Sequence, residues 1–359
     1  MRTDILNDGL LEKLTLASGV SGDEQEIREI LHQAVKSHAA EITFDGLGSF
    51  IARKGNSGPK VALIAHMDEV GFIVKHIKAE GFIYFDTVGS WWNQSMLNHR
   101  VEIKTSCGEK IPGIIGSVAP HALSDDDKNH PMNTEKMFID IGASSAEQVR
   151  ERGVSVGDFI CPEPFFSAFG DDGIMAKALD NRAGCAVVAE VFRQCQNPDI
   201  QLYAVATVQE EVGLRGAQSS AETVKPDIAI VIDTMVAGDT PGICPIAFPL
   251  KLGAGPAISL FDKRYIAHRK LTQLVKNTAA EQGVNLQFCT LKTGATDGGR
   301  YNVMGGGRPV IALCLPTRYL HANASVISAT DYDALIRMVL SLVNHYSQDV
   351  HHQVTQFIG

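Results

Sequence analysis

Four short apolar runs dominate the chain, and each leads to a residue able to ligate a metal. Run 61–65 leads into His66 and Asp68, and run 202–208 into Glu210 and Glu211. Run 228–232 is closed by Asp233, and run 310–315 reaches His321 through a short loop containing Pro316. Apolar runs of this length bounded by turn signals read as buried parallel strands, because strands covered on both faces need no polar alternation. In open α/β sheets, ligands gather outside the carboxyl ends of the strands. The four ends therefore bring imidazoles and carboxylates to one sheet edge. Asp180, in the segment Ala178-Leu179-Asp180-Asn181-Arg182, adds another carboxylate. That is how a dinuclear metal hydrolase is built.

Bulk properties narrow the alternatives. A chain of 359 residues forms one large domain or two ordinary ones. A net charge of −9 with no basic stripe argues against a nucleic-acid partner. The densest basic stretch, Lys263-Arg264 and His268-Arg269-Lys270, reads as a solvated helix face. Seven cysteines are scattered without any CxxC pair, which excludes a disulfide scaffold or a structural zinc site. Their pattern suits a reducing compartment, and a cytoplasmic location is expected. The first eight residues carry no signal-like apolar stretch, and no run approaches membrane-spanning length, so no membrane partner is expected.

The organisation follows the texture of the chain. Ser21 and Glu24 have capping-box spacing, and Ile27, Ile30, Leu31, Ala34 and Val35 recur at helical intervals, which predicts a helix over about 22–38. Strands are expected at Glu41–Phe44 and 50–53, before the strand ending at His66. From Gly71 to about Phe165 the chain breaks into short strand-like pieces with frequent turns, which reads as a small β-barrel or sandwich. Only 145–152 looks helical there, and Asp125-Asp126-Asp127 reads as a solvated loop. Helices and strands alternate again from Asp180, and the helix after Thr330 packs back on the sheet. The expected plan is an α/β catalytic domain formed by 1–70 and 166–359, with a β-rich domain, 71–165, inserted into it.

The candidate residues carry different weights. With 41 Asp and Glu, chance supplies roughly five adjacent acidic pairs, so Glu210-Glu211 gains meaning only from its place at a strand end. The glycines Gly213 and Gly216 behind it suit a tight strand-to-helix turn. Carboxylates in so apolar a setting need a cation or a proton, because an unpaired buried charge is costly. His66 and Asp68 fall on one side of an extended chain, where one can ligate while the other receives the free imidazole N–H. Asp180 either caps the helix starting near Asn181 or joins the metal set. Asp233 either caps Thr234-Met235 or ends its strand. His321 is one of twelve histidines, and the other ten are given no role. Gly305-Gly306-Gly307-Arg308 and Gly253-Ala254-Gly255 fit no phosphate-loop pattern and read as loops of close backbone approach. No G-x-S-x-G elbow is present.

Taken together, His66-Met67-Asp68, Ala178 to Arg182, Gln209-Glu210-Glu211-Val212-Gly213, Ile232-Asp233-Thr234 and Tyr319-Leu320-His321 resemble the tetrahedral, glutamyl-type dinuclear metalloaminopeptidases. This is metallopeptidase family forty-two, in particular its YpdE/FrvX-like branch. The resemblance runs almost end to end, including Gly116 to His121, Phe138 to Ala143 and Ala237 to Gly242. An insert between His66 and Asp180 matches that family, whereas related carboxypeptidases and deacylases carry theirs after the glutamate pair. The resemblance implies a mixed, largely parallel sheet flanked by helices, of the co-catalytic zinc exopeptidase type. It implies two divalent ions, zinc first with cobalt or manganese as alternatives, bridged by Asp180. His66 and Asp233 would complete one site, and Glu211 and His321 the other. Asp68 would orient His66, Glu210 would act as general base, and the Asp180–Asn181 peptide would be unusual. Substrates would be peptides with a free N-terminus, and the assembly a tetrahedral homododecamer. Gly298 and Ala322-Asn323 depart from the family pattern near the substrate pocket, and Arg300 and Lys292 are candidates for favouring acidic side chains. The rival readings are an N-acyl deacylase or carboxypeptidase with the same metals, a catalytically silent metal-binding protein, and a metal-independent glycosidase.

Overall fold

A computed structural model describes residues 9–358; Met1 to Asp8, the stretch without a signal-like run, lie outside the described residues. The strands β1 (Glu41–Phe44), β2 (Phe50–Lys54) and β3 (Lys60–His66) come first. The strands β4 (Gly71–Ile77), β5 (Ile83–Val88), β6 (Arg100–Lys104), β7 (Lys110–Gly116), β8 (Phe138–Asp140) and β9 (Phe159–Pro162) come after them. These six close into a barrel in the order β4-β5-β8-β7-β6-β9. Next come β10 (Phe166–Phe169), β11 (Gly173–Ala176), β12 (Gln201–Thr207), β13 (Ile228–Val236), β14 (Ala257–Asp262) and β15 (Gln287–Leu291). Last are β16 (Val310–Thr317) and β17 (Ser325–Ser328). The main sheet has the order β1-β2-β12-β3-β13-β16-β14-β15, and β10-β11-β17 form a small sheet beside it.

The four central strands β12, β3, β13 and β16 run parallel to one another. Their side chains sort by the period of two. Leu63, Ile230, Ile232, Leu313 and Leu315 enter one core, while Ile64, Val231, Ala312 and Cys314 enter the other. The first core is covered by helices that include Gln25–Val35, Leu179–Gln194 and Ala329–Asn344, the second by Arg215–Val224 and Gly298–Val303. A third core of Phe72, Val74, Ile103, Ile115, Ile139 and Ile160 fills the barrel. Burial on both faces is why these strands read as continuous apolar runs.

Several expectations need correction. The helix spans Gln25–Val35, and the Ser21-Glu24 pair does not cap it, because both side chains bond elsewhere. Strand β13 continues past Asp233 to Val236, so Asp233 lies within the strand rather than at its end. Pro316 sits inside β16 opposite Met235. The neighbour β14 pairs only as far as Cys314, so the missing N–H of Pro316 costs no ladder bond. Asp125 and Asp126 stay exposed, but on a short helix, Asp125–Asn129, rather than a loop. At Gly255 close backbone approach is real, since a Cβ there would lie 2.0 Å from the Asn285 carbonyl oxygen.

Candidate metal centre

Strand geometry sets out the site. His66 is the last residue of β3 and stands in register with Thr207, the last residue of β12. Past Thr207 the chain turns through Gln209, Glu210 and Glu211 into the helix Arg215–Val224. Gly216 lets that turn close, because a Cβ there would lie 2.4 Å from the Val208 carbonyl oxygen. Asp233 projects from β13, and His321 comes after β16. Among the described residues, five of the seven non-glycine positions with positive φ flank this edge, namely Ala178, Gln209, Leu214, Tyr319 and His321. Such backbone is held only where its surroundings over-determine it, and it gathers at functional sites.

Asp180 does not cap its helix. It departs from helical φ/ψ, and the peptide joining it to Asn181 is cis. The neighbour takes over the capping work. Asn181 Oδ1 accepts the Gly184 N–H at 3.0 Å, and its Nδ2 donates to the Ile232 carbonyl at 2.9 Å. That leaves both oxygens of Asp180 facing the sheet edge. Oδ1 lies 3.2 Å from His66 Nε2, and Oδ2 lies 3.2 Å from His321 Nε2. His321 Nε2 is also 3.3 Å from Glu211 Oε1, and His66 Nε2 is 3.7 Å from Asp233 Oδ1. Ligand atoms of His66, Asp180 and Glu211 lie within 4.8 Å of one another, as do those of His66, Glu210 and Asp233. All six residues thus meet in one cleft. Among the described residues, the Glu210 carboxylate makes no hydrogen bond or ion pair.

Asp68 faces His66 as the resemblance implies, and it holds more than that histidine. His66 Nδ1 lies 3.1 Å from the Asp68 carbonyl oxygen and 3.5 Å from its carboxylate, so the backbone is the nearer partner. The carboxylate also accepts the N–H of Glu210 at 2.9 Å, the N–H of Glu211 at 3.1 Å and the Ser21 hydroxyl at 2.6 Å.

The electrostatics call for a cation. Burial lifts the Glu210 carboxyl well above the usual carboxylate range; His66 opposes this, and Glu211, Asp297 and Asp233 add to it. Burial likewise raises Glu211 and Asp233, and pushes Asp297 up to about 7. Burial disfavours charge on His321, but Asp180 and Glu211 outweigh it and lift the imidazole to about 11. Asp180 is held low against its own burial by the two histidines. Asp68, Asp180, Glu210, Glu211, Asp233 and Asp297 thus crowd around the imidazoles of His66 and His321. Crowded carboxylates in a dry site are stabilised by divalent cations. A donor set of carboxylate oxygens and imidazole nitrogens fits zinc, cobalt or manganese.

The cleft has a volume of about 690 Å³, and its walls include Ser90, Met235, Phe248, Leu320, Lys263 and Arg264. Lys263 and Arg264, read from sequence as merely solvated, line the cleft, while Arg300 reaches the carbonyl of Gly213 in its wall. A larger hollow of about 1070 Å³, beside Gly305 to Arg308, gathers no such ligand group among the described residues. Sequence reasoning also missed Ser21, Glu24 and Asp297. The first two were hidden behind a helix-start pattern, and Asp297 comes after no apolar run. Among the described residues, no helix is long and apolar enough to cross a membrane.

Comparison with known proteins agrees with this geometry. The profile described as M42 glutamyl aminopeptidase matches residues 48–338. The putative aminopeptidase FrvX of Escherichia coli K12 is 59% identical over 352 residues, covering 98% of this chain and 99% of that protein. A TET aminopeptidase from a marine sediment Thaumarchaeota archaeon superposes with a TM-score of 0.94 at 38% identity, covering 97% of this chain and 98% of its own. The Pyrococcus horikoshii TET1 peptidase, which can assemble into a tetrahedron or a large octahedral shell, gives 0.86 at 28% identity over 96% of this chain and 100% of its own. This chain belongs to the M42 glutamyl aminopeptidase family.

Proposed function

We propose that this chain removes the N-terminal residue from peptides with the help of two divalent metal ions. Asp180 would bridge them, with His66 and Asp233 completing one site and Glu211 and His321 the other. The observation that carries the reading is the carboxylate of Asp180, whose two oxygens face different histidines at 3.2 Å each. When bound, such a pair of ions acidifies a shared water and polarises the substrate carbonyl.

The chain's own residues supply the proton transfers. Glu210 has no hydrogen-bond partner for its carboxylate among the described residues, and burial raises its proton affinity. It takes a proton from the attacking water and returns it to the departing amine, a role that typically contributes about 10²–10⁴-fold. Asp68 fixes the backbone that carries Glu210 and Glu211. Lys263 and Arg264 over the cleft favour an acidic N-terminal side chain. Zinc is the first choice of metal, with cobalt or manganese also suited to the donors.

The division into a catalytic domain, 1–70 and 166–359, and an inserted domain, 71–165, is supported by the barrel interrupting the sheet. The relatives' assembly, as in the Pyrococcus horikoshii tetrahedron, supports a homododecamer in which the insert aids oligomerisation and substrate access. Seven free cysteines, five of them buried, favour the cytoplasm.

A panel of aminoacyl-anilides tests the reaction. Unblocked substrates are cleaved, glutamyl faster than lysyl, while N-acetylated ones and chelator-treated protein are inert. Cleavage of the acetylated set would point to a deacylase, and chelator-resistant turnover would rule out the metal-dependent reaction.

A further inference from the structure

Ser21 and Glu24 match a helix capping box but do not perform it. The helix begins at Gln25 with no side-chain cap, and both polar side chains are nearly sealed from solvent, at 6% and 3% exposure. A carboxylate that only starts a helix would stay in water, since burying it is costly. Glu24 instead reaches across the fold. Its Oε1 accepts the N–H of Gly22 at 2.8 Å and the N–H of Gln209 at 3.1 Å, the latter from a residue 185 positions away. Ser21 Oγ donates to Asp68 Oδ2 at 2.6 Å. The other oxygen of Asp68 accepts from Glu210 N–H, while Oδ2 also accepts from Glu211 N–H.

All three successive amides of the turn, Gln209, Glu210 and Glu211, therefore end on two buried carboxylates. The carbonyls of Val208, Gln209 and Glu210 are taken by the amides of Gly216, Arg215, Leu214 and Gly213. The turn is tied on both sides. Its first residue, Gln209, has φ +54°, a conformation that a non-glycine residue keeps only when held. Burial raises the Glu24 carboxyl above its ordinary value and the Gly22 amide opposes this, as befits a group kept inside for its hydrogen bonds.

We infer that Glu24, with Ser21 acting through Asp68, is a positioning residue that fixes the Gln209–Glu210–Glu211 turn and so aims the Glu210 carboxylate. The inference rests on the proposed role of Glu210 as general base.

Three substitutions at Glu24 in the full-length, zinc-loaded protein separate aim from mere stability. Glu24→Ala lowers kcat by about 10²-fold, the scale of an ångström-sized misplacement, with KM and bound zinc unchanged. Glu24→Gln keeps an oxygen at the same reach and recovers most of the rate. Glu24→Asp keeps the charge but draws the oxygen back by one methylene, and it behaves like Ala. Ser21→Ala gives a smaller loss of kcat of the same kind. Should Glu24→Ala fail to fold, the Gln and Asp variants still decide. Wild-type kcat in both Gln and Asp variants overturns the inference, as does a rate that follows charge, with Asp active and Gln impaired. Full turnover by Glu210→Gln overturns the base assignment instead, whatever the Glu24 variants do.

Discussion

Two buried polar clusters lie side by side at the start of the helix Leu179–Gln194, and they are built on opposite principles. In the first, Lys177 and Arg182 are fully buried around Glu69. Lys177 Nζ donates to both Glu69 oxygens, at 2.7 and 2.9 Å, and to the Ala17 carbonyl at 2.8 Å. Arg182 donates to Glu69 and to the carbonyls of Met67, Leu14, Ala17 and Gly19. Both cations are thus surrounded by acceptors. In the second cluster, six carboxylates crowd two histidines, and burial lifts the proton affinity of Glu210, Glu211, Asp233 and Asp297 together. A closed, satisfied network clamps the chain. An open one with surplus negative charge is built to receive cations. Burial alone does not distinguish them; the balance of donors and acceptors does.

Substitutions sharpen that contrast. Glu210→Gln removes one of the surplus carboxylates, so kcat falls by about 10²–10⁴-fold while folding stability and bound metal hold. A variant that loses its metals along with turnover would make Glu210 a ligand rather than a base. Glu69→Gln strikes the closed network and strands Lys177 without its counter-charge. The expected cost is about 3–5 kcal/mol of unfolding free energy in denaturant titrations. If it proves harmless, the network is not a clamp.

A smaller effect concerns pH. Burial holds the Asp297 carboxyl near 7 against an ordinary value of 3.8. The fold therefore favours its neutral form, and its contribution to stability is present below the ordinary value and lost as pH rises through about 7. In the metal-free protein, Asp297→Asn leaves Tm unchanged at low pH and raises it progressively above wild type as pH climbs from about 3.8 to about 7, with the full difference kept above that. A Tm difference that stays flat with pH would show that the carboxyl is not held neutral by burial.

The sequence showed the open cluster better than the closed one. His66, Glu211, Asp233 and His321 stood out because apolar strands lead to them, a local pattern that survives folding. Asp180 stayed ambiguous because an Asp before a helix has two uses. Only the fold reveals that Asn181 does the capping. Arg182 meets its acceptors across 113 to 168 residues, and no local spacing records that. Ser21 and Glu24 were misread for the same reason, since their spacing matches a helix start while their partners lie elsewhere. Lys263 and Arg264 sit over the cleft only because the loop after β14 folds back toward it.

The central claim is that two cations share the Asp180 carboxylate. Anomalous diffraction from crystals grown with zinc tests it most directly. Two peaks about 3.5–4 Å apart are expected, one beside His66 and Asp233, the other beside Glu211 and His321, with Asp180 between them. A single peak, or metal bound away from Asp180, would contradict it.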